Sequence, residues 1–249
     1  MSPRADTRSS RLAWWAFEAV FRPWMNRRVR VAFTGLGRVP EGDTPLLVVA
    51  NHESWWDGFF IRELQRRIRP SGRFHAVMLE SELKRFPFLR FLGGLGVERG
   101  SVASVRRMLR LARAVGAERP AGVVAYFPQG RIKPGSMPPL EFNAGVLPVV
   151  ESMCPVDVLP VGIRVLPGRD HRMDAFLSVG DPIVVPGPDP LRLALLEAAV
   201  GEELRSIGAF VRSHGEDAFL SFPRPDGRLP RDVGPATPLE AGGAWPSRN

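Results

Sequence analysis

A chain of 249 residues with 44% hydrophobic and 24% charged content is long enough for one α/β domain or two small ones and has the balance of a globular protein. Its single cysteine, Cys154, excludes a disulfide framework and a thiolate metal site. The formal net charge of +8 comes almost wholly from arginine (Lys84 and Lys133 are the only lysines) and favours an anionic partner, although a GC-rich genome yields the same composition.

Leu12 to Phe21 is apolar apart from Glu18 and too short to span a bilayer, and no cleavable leader is expected. Trp14, Trp15, Phe17, Phe21 and Trp24 crowd this stretch, with Arg4, Arg8 and Arg11 before it and Arg22, Arg27, Arg28 and Arg30 around its end. Residues 1–28 therefore read as a helix lying in an anionic headgroup layer, or as one packed on the protein's own core. Val29 to Phe33 predicts a first strand, and Leu46 to Ala50 a buried one. The next residues, Asn51-His52-Glu53-Ser54-Trp55-Trp56-Asp57, form a corner into a helix whose Trp56, Phe60, Leu64 and Ile68 recur every fourth position. On a regular helix His52 and Asp57 would point about 140° apart, whereas across a corner they can meet. A carboxylate that fixes the tautomer of an imidazole makes it a general base. The competing reading has Ser54 as a helix cap and Asp57 as the acid of a capping box.

Phe74 to Leu79 predicts another strand, and Ser81 to Leu92 a helix broken at Pro87. Gly93 to Gly100 is read as a tight approach into a short strand ending on Arg99, with a dinucleotide loop as the weaker alternative. Val102, Val105, Leu109, Ala112 and Val115 mark the apolar stripe of a helix with Arg106, Arg107, Arg110 and Arg113 on its solvated face. Gly122 to Phe127 is a strand that runs into the polar loop Pro128 to Gly135. Phe142 to Gly145 leads into an apolar helix ending near Met153. Val156 to Val165 is a strand that Pro160 places at an edge or bends. Phe176 to Val185 suggests a strand or pair turning at Gly180-Asp181-Pro182, and Leu191 to Val211 a long amphipathic helix. Residues 222–249 are expected to form a loose Pro/Gly-rich tail. Strands alternating with helices over 29–221 imply a single α/β domain.

Three polar turns at strand ends carry a resemblance. Asn51-His52 with Asp57, Gly96-Val97-Glu98-Arg99, Phe127-Pro128-Gln129-Gly130 and Leu159-Pro160-Val161 occur in the order and spacing of the four blocks of the glycerolipid acyltransferases of the lysophosphatidic acid acyltransferase type. Lys84 before Pro87, Phe142 to Gly145 and Val179 to Ile183 also fit, so the resemblance covers roughly residues 30–190. It implies a mixed, largely parallel sheet flanked by helices, with His52 as general base and Asp57 as its orienting partner. Arg99 would then meet a phosphate or headgroup, with Lys84, Gln129, Gly130 and Arg131 as further substrate contacts. The reaction implied moves an acyl group from coenzyme A or an acyl-carrier protein to a lipid hydroxyl. It uses no metal or other cofactor and no enzyme nucleophile, since a thioester is already activated. Two positions depart from the family: Gln129 replaces its glutamate, and Arg131-Ile132 stands where Thr-Arg should follow. The acceptor thus stays open among a lysophospholipid, a glycolipid and a carotenoid glycoside. The expected location is the cytoplasmic face of the cell membrane, as a peripheral or monotopic protein. A catalytically silent membrane-binding protein of the same fold is the rival reading. Nucleic acid is not expected as a partner, because no binding motif accompanies the charge.

Overall fold

The strand Leu46–Ala50 (β2) is completely buried and sits in the middle of an eight-stranded sheet. The computed structural model describes residues 11–187 and 191–222; the tail expected from 222 onward lies outside them from 223, and so do residues 1–10. The sheet runs β1-β7-β6-β2-β5-β3-β4, with β8 also pairing β6. Its strands are β1 (Val29–Thr34), β3 (Phe74–Leu79), β4 (Gly94–Val97), β5 (Val123–Tyr126), β6 (Val156–Pro167), β7 (Met173–Val179) and β8 (Ile183–Val185), besides β2. Pairing is parallel except where β6 meets β7 and β8. It is one α/β domain with a mixed, mostly parallel sheet flanked by helices.

Alternation along β2 explains the layers. Leu46, Val48 and Ala50 enter the core that holds Phe60, Ile61 and Leu64 of α2 (Asp57–Ile68). Leu47 and Val49 face the opposite core, built with α5 (Val102–Gly116), α6 (Leu147–Met153) and α7 (Leu193–His214). A strand buried on both faces has to be apolar at every position, and this one is. The helix α1 (Arg11–Asn26) packs against the first layer: Trp14 is buried against Phe74, and Phe17 and Phe21 stack near Phe59. Glu18 is held between Arg62 and Arg66 of α2. The core-packing alternative for this segment therefore accounts for its inner face, while Trp15, Val20 and Trp24 remain exposed.

Three expectations change. Pro160 marks neither an edge nor an end, because β6 is central and runs through it. Its carbonyl accepts from Gly180 at 2.9 Å, so its nitrogen faces the gap where the partner of β6 changes from β8 to β7, and no ladder bond is lost. On α5 the buried stripe is Ser104, Met108, Ala112 and Val115, leaving Val102 and Val105 exposed. The phase is set by Ser104, whose hydroxyl turns inward to accept from Glu98 N–H. β4 ends at Val97, so Arg99 lies in the turn beyond it.

The break expected at Pro87 is present, separating α3 (Glu80–Arg85) from α4 (Phe88–Phe91). The glycine run is a close-packing device: a Cβ on Gly93 would lie 2.2 Å from the Phe74 carbonyl oxygen, at a φ of +88°. Gly93→Ala is expected to cost about 2–3 kcal/mol, read from urea unfolding.

Candidate active site

In a parallel sheet the carboxyl ends of the strands share one edge, and loops carrying chemistry gather there. The corner after β2, the turn after β4 and the loop after β5 all leave from that edge. Because β5 and β6 flank β2 in register, the loop after β5 and the second half of β6 close around the corner at His52.

Asp57 is fully buried at the start of α2 and is surrounded by donors. Its Oδ2 accepts from His52 Nδ1 at 2.8 Å, Glu53 N–H at 2.7 Å and Ser54 N–H at 3.0 Å. The Ser54 hydroxyl donates to Oδ1 at 2.7 Å. The capping-box alternative is not what forms: α2 starts at Asp57 itself with Trp56 before it, and the Ser54 hydroxyl donates to the Asp57 carboxylate instead of accepting from its N–H, so this carboxylate serves the corner and the ring. A carboxylate can only accept, so Nδ1 carries the hydrogen and Nε2 keeps its lone pair. Nε2 has no hydrogen-bond partner among the described residues, and the His52 side chain is 21% exposed. Phe127 stacks on the ring, with centroids 4.5 Å apart and planes 19° apart.

The main chain of the corner is held from three sides. Asn51 exchanges two hydrogen bonds with Ile163 of β6, at 2.9 and 2.8 Å. Glu53 is buried and accepts from Arg164 Nη1 at 3.0 Å, from Gly135 N–H at 3.0 Å and from Asn51 Nδ2 at 3.3 Å. Burial pushes its carboxyl above the usual range, and Gly135 and Arg164 offset this only in part. On the third side the β5 loop bonds to His52 itself: Lys133 N–H donates to its carbonyl at 2.7 Å, and Gln129 Oε1 accepts from its N–H at 2.7 Å.

The expected substrate contacts divide. Arg99 is exposed and donates to the Gly130 carbonyl, which brings it to the β5 loop. Gly130 holds a φ of +63° there. Arg131 is exposed and pairs with Glu141 at 3.6 Å. Lys84 is exposed on α3, and no hydrogen bond or ion pair joins it to the corner among the described residues. Gln129 requires a correction, because its side chain is not presented to the edge. It is 4% exposed, and its Nε2 donates to the Leu140 carbonyl at 3.1 Å while Oε1 serves His52. Phe127, Lys133, Glu53 and Arg164 were missed as site residues. The polarity of Glu53 between apolar neighbours, and an arginine inside an otherwise apolar strand, were the available signals for the last two.

A His–Asp pair thus lies at the carboxyl edge of a mostly parallel α/β sheet, with one imidazole nitrogen unbonded among the described residues. Residues 30–164, more than half of the chain, match the family model described as Acyltransferase, and the chain belongs to this family. Its fold is similar to the crystal structure of PlsC, the 1-acyl-sn-glycerophosphate (LPA) acyltransferase from Thermotoga maritima. That match has a TM-score of 0.51 and 20% identity, covering 82% of this chain and 78% of that one. No curated protein matches the sequence.

Proposed function

We propose that the protein moves a fatty acyl group from an acyl thioester, of coenzyme A or an acyl-carrier protein, to a hydroxyl of a lipid acceptor. The carrying observation is the His52–Asp57 pair, with Nδ1 engaged at 2.8 Å and Nε2 left at the open edge. Nε2 removes the proton as the acceptor oxygen attacks the thioester carbonyl, and Asp57 stabilises the imidazolium that forms. Collapse of the tetrahedral intermediate breaks the C–S bond, and the departing thiolate takes the proton back from His52. The products are an ester and a free thiol, with His52 and Asp57 unchanged. No side chain of the protein becomes covalently acylated, so Cys154, exposed to neither role, is not required. Arg99, at the Gly130 turn, is placed to attract an anionic headgroup. PlsC acts on lysophosphatidate; the acceptor here is a lysophospholipid, a glycolipid or a carotenoid glycoside. The test is release of free thiol from an acyl thioester in the presence of each acceptor class, together with isolation of the acylated lipid. A protein that releases no thiol with any of them is not this enzyme.

The same reading places the protein on the cytoplasmic, anionic face of the membrane. No helix among the described residues is long and apolar enough to cross a bilayer. A run of aromatic rings nevertheless links α1 to the corner: Phe17 lies 5.8 Å from Phe88, Trp24 lies 5.4 Å from Trp56, and Trp55 meets Phe86 at 5.7 Å. Trp15, Trp24, Trp55 and Phe88 are exposed large apolar side chains, and Arg27, Arg28, Arg85 and Arg90 are exposed around them. Rings at the acyl boundary with guanidiniums on phosphates would bring His52 to a lipid-borne hydroxyl. Trp15→Ser and Phe91→Ser, at exposed rings on α1 and α4, spare the inner face of α1. Each is expected to weaken co-sedimentation with anionic vesicles by about tenfold. Added salt should weaken wild-type binding as well. Unchanged co-sedimentation of the double variant rules out this docking face.

A further inference from the structure

Gln129 stands where the resemblance has a glutamate, and its partners explain what an amide does there. A backbone N–H can only donate and a carbonyl can only accept, so His52 N–H fixes the oxygen end and Leu140 C=O fixes the nitrogen end. Leu140 in turn donates its own N–H to Glu197 of α7 at 2.7 Å. One line of hydrogen bonds therefore runs from α7 through Leu140 and Gln129 to the main chain of His52. The opposite pole of that residue, its carbonyl, is held by Lys133 N–H at 2.7 Å. The loop carrying Gln129 is itself anchored, because Asn143 Nδ2 donates to the Pro128 carbonyl at 2.8 Å and Arg99 to that of Gly130.

We propose that Gln129 is a positioning residue of the acyl-transfer site: it holds the His52 main chain while Asp57 holds the ring, and it must be neutral to do so. This inference rests on His52 acting as the general base. Two buried partners of opposite polarity need one group that accepts at one end and donates at the other. A carboxylate turns an oxygen toward the Leu140 carbonyl, leaving both acceptors without a donor in a buried place. A protonated carboxyl restores both bonds, its hydroxyl to Leu140 and its carbonyl oxygen to His52 N–H. The departure from the family glutamate thus sets the base and not the choice of acceptor, since the acceptor hydroxyl meets the ring and not the amide.

Gln129→Met, similar in length and without either bond, is expected to lower kcat by about 10–100-fold, because small misplacements of a catalytic group cost rates of that order. KM for thioester and acceptor should change by no more than about twofold. Independently of turnover, the His52 amide should exchange with deuterium at least about tenfold faster. Gln129→Glu supplies the rescue: its kcat relative to wild type should rise as pH falls from about 8 to about 6, because burial raises its carboxyl and the protonated form mimics glutamine. The charged groups on the segments that meet there are His52, Glu53 with its partner Arg164, Asp57, Arg99, Arg131, Lys133, Glu141 and Glu197. All are common to both proteins, so the ratio isolates residue 129. A competition between phosphorylated and uncharged lipid acceptors should give wild-type product proportions. Wild-type kcat or unchanged exchange in Gln129→Met, a flat ratio in Gln129→Glu, or altered product proportions would each overturn the proposal. His52→Ala assayed alongside separates the two ideas: activity there defeats the general base, while an inactive His52→Ala beside a fully active Gln129→Met defeats only the positioning role.

Discussion

His52→Ala is expected to lower acyl transfer by about 10²–10⁴-fold while the protein keeps its fold, because in the proposed mechanism its Nε2 is the base. Its side chain stacks on Phe127 and is partly exposed, so its removal leaves no buried cavity of consequence. Asp57→Asn should be nearly as severe for a different reason. Four donors converge on the Asp57 carboxylate, and an asparagine offers them one oxygen and a competing NH₂. Whichever way the amide turns, either the ring loses its acceptor or the corner loses a backbone anchor. Asp57→Asn should therefore also lower the unfolding midpoint, which His52→Ala should not. Free thiol release at near wild-type rate by purified, folded His52→Ala would defeat the mechanism.

How much of this was legible depends on how far apart the interacting residues lie in the chain. The His52–Asp57 pair could be read because an apolar strand, a polar corner and a helix follow one another within a dozen residues. β2 and β3 were read to their ends, because fully apolar runs between turn residues leave one reading. Long-range neighbours were not readable. Glu53 pairs with a residue 111 positions away, and Gln129 with one 77 positions before it, and no local pattern records either. The resemblance makes Gln129 a substrate contact because it occupies the position of the family glutamate, although a polar side chain in a loop can serve the main chain around it. The stripe on α5 was misphased for a related reason. A small serine at position 104 reads as solvent-facing until the turn it must satisfy is known. Pro160 suggests an edge or a bend on the rule that proline loses a ladder donor, and the edge fails because two short partners share one side of the strand there. The aromatic α1 needed both readings at once, since its two faces do different things.

Arg164→Met is expected to destabilise the protein by about 3–5 kcal/mol, because it strands the Glu53 carboxylate in the core. The two side chains are 9% and 2% exposed and meet at 3.0 Å. With the guanidinium gone, Glu53 keeps only neutral partners, the Gly135 and Val165 backbone and the Asn51 amide. Methionine fills much of the arginine stem's volume, so the loss reports the charge more than the packing. In a chain of this size, a change of that kind lowers the melting temperature by about 10 °C. The pH dependence has a definite sign. The Glu53 carboxyl already lies above its ordinary range through burial, so its contribution to stability is full below the unfolded carboxyl range and falls as pH rises through the folded value. Removing Arg164 raises that folded value further. The deficit of the variant should therefore be full at neutral pH and shrink at acidic pH, as the buried carboxyl gains its proton. Adding Glu53→Gln should recover most of the loss at neutral pH, since a neutral amide needs no cation. Urea unfolding of the single and double variants at both pH values measures this. A double variant no more stable than Arg164→Met would show that the arginine acts through its bonds to the Ser136 carbonyl and Met137 sulfur instead. Because Glu53 is the residue after His52 and donates its own N–H to Asp57, the strut reaches the chemistry. The single variant should lose activity at neutral pH below its melting temperature, and the double variant should regain it.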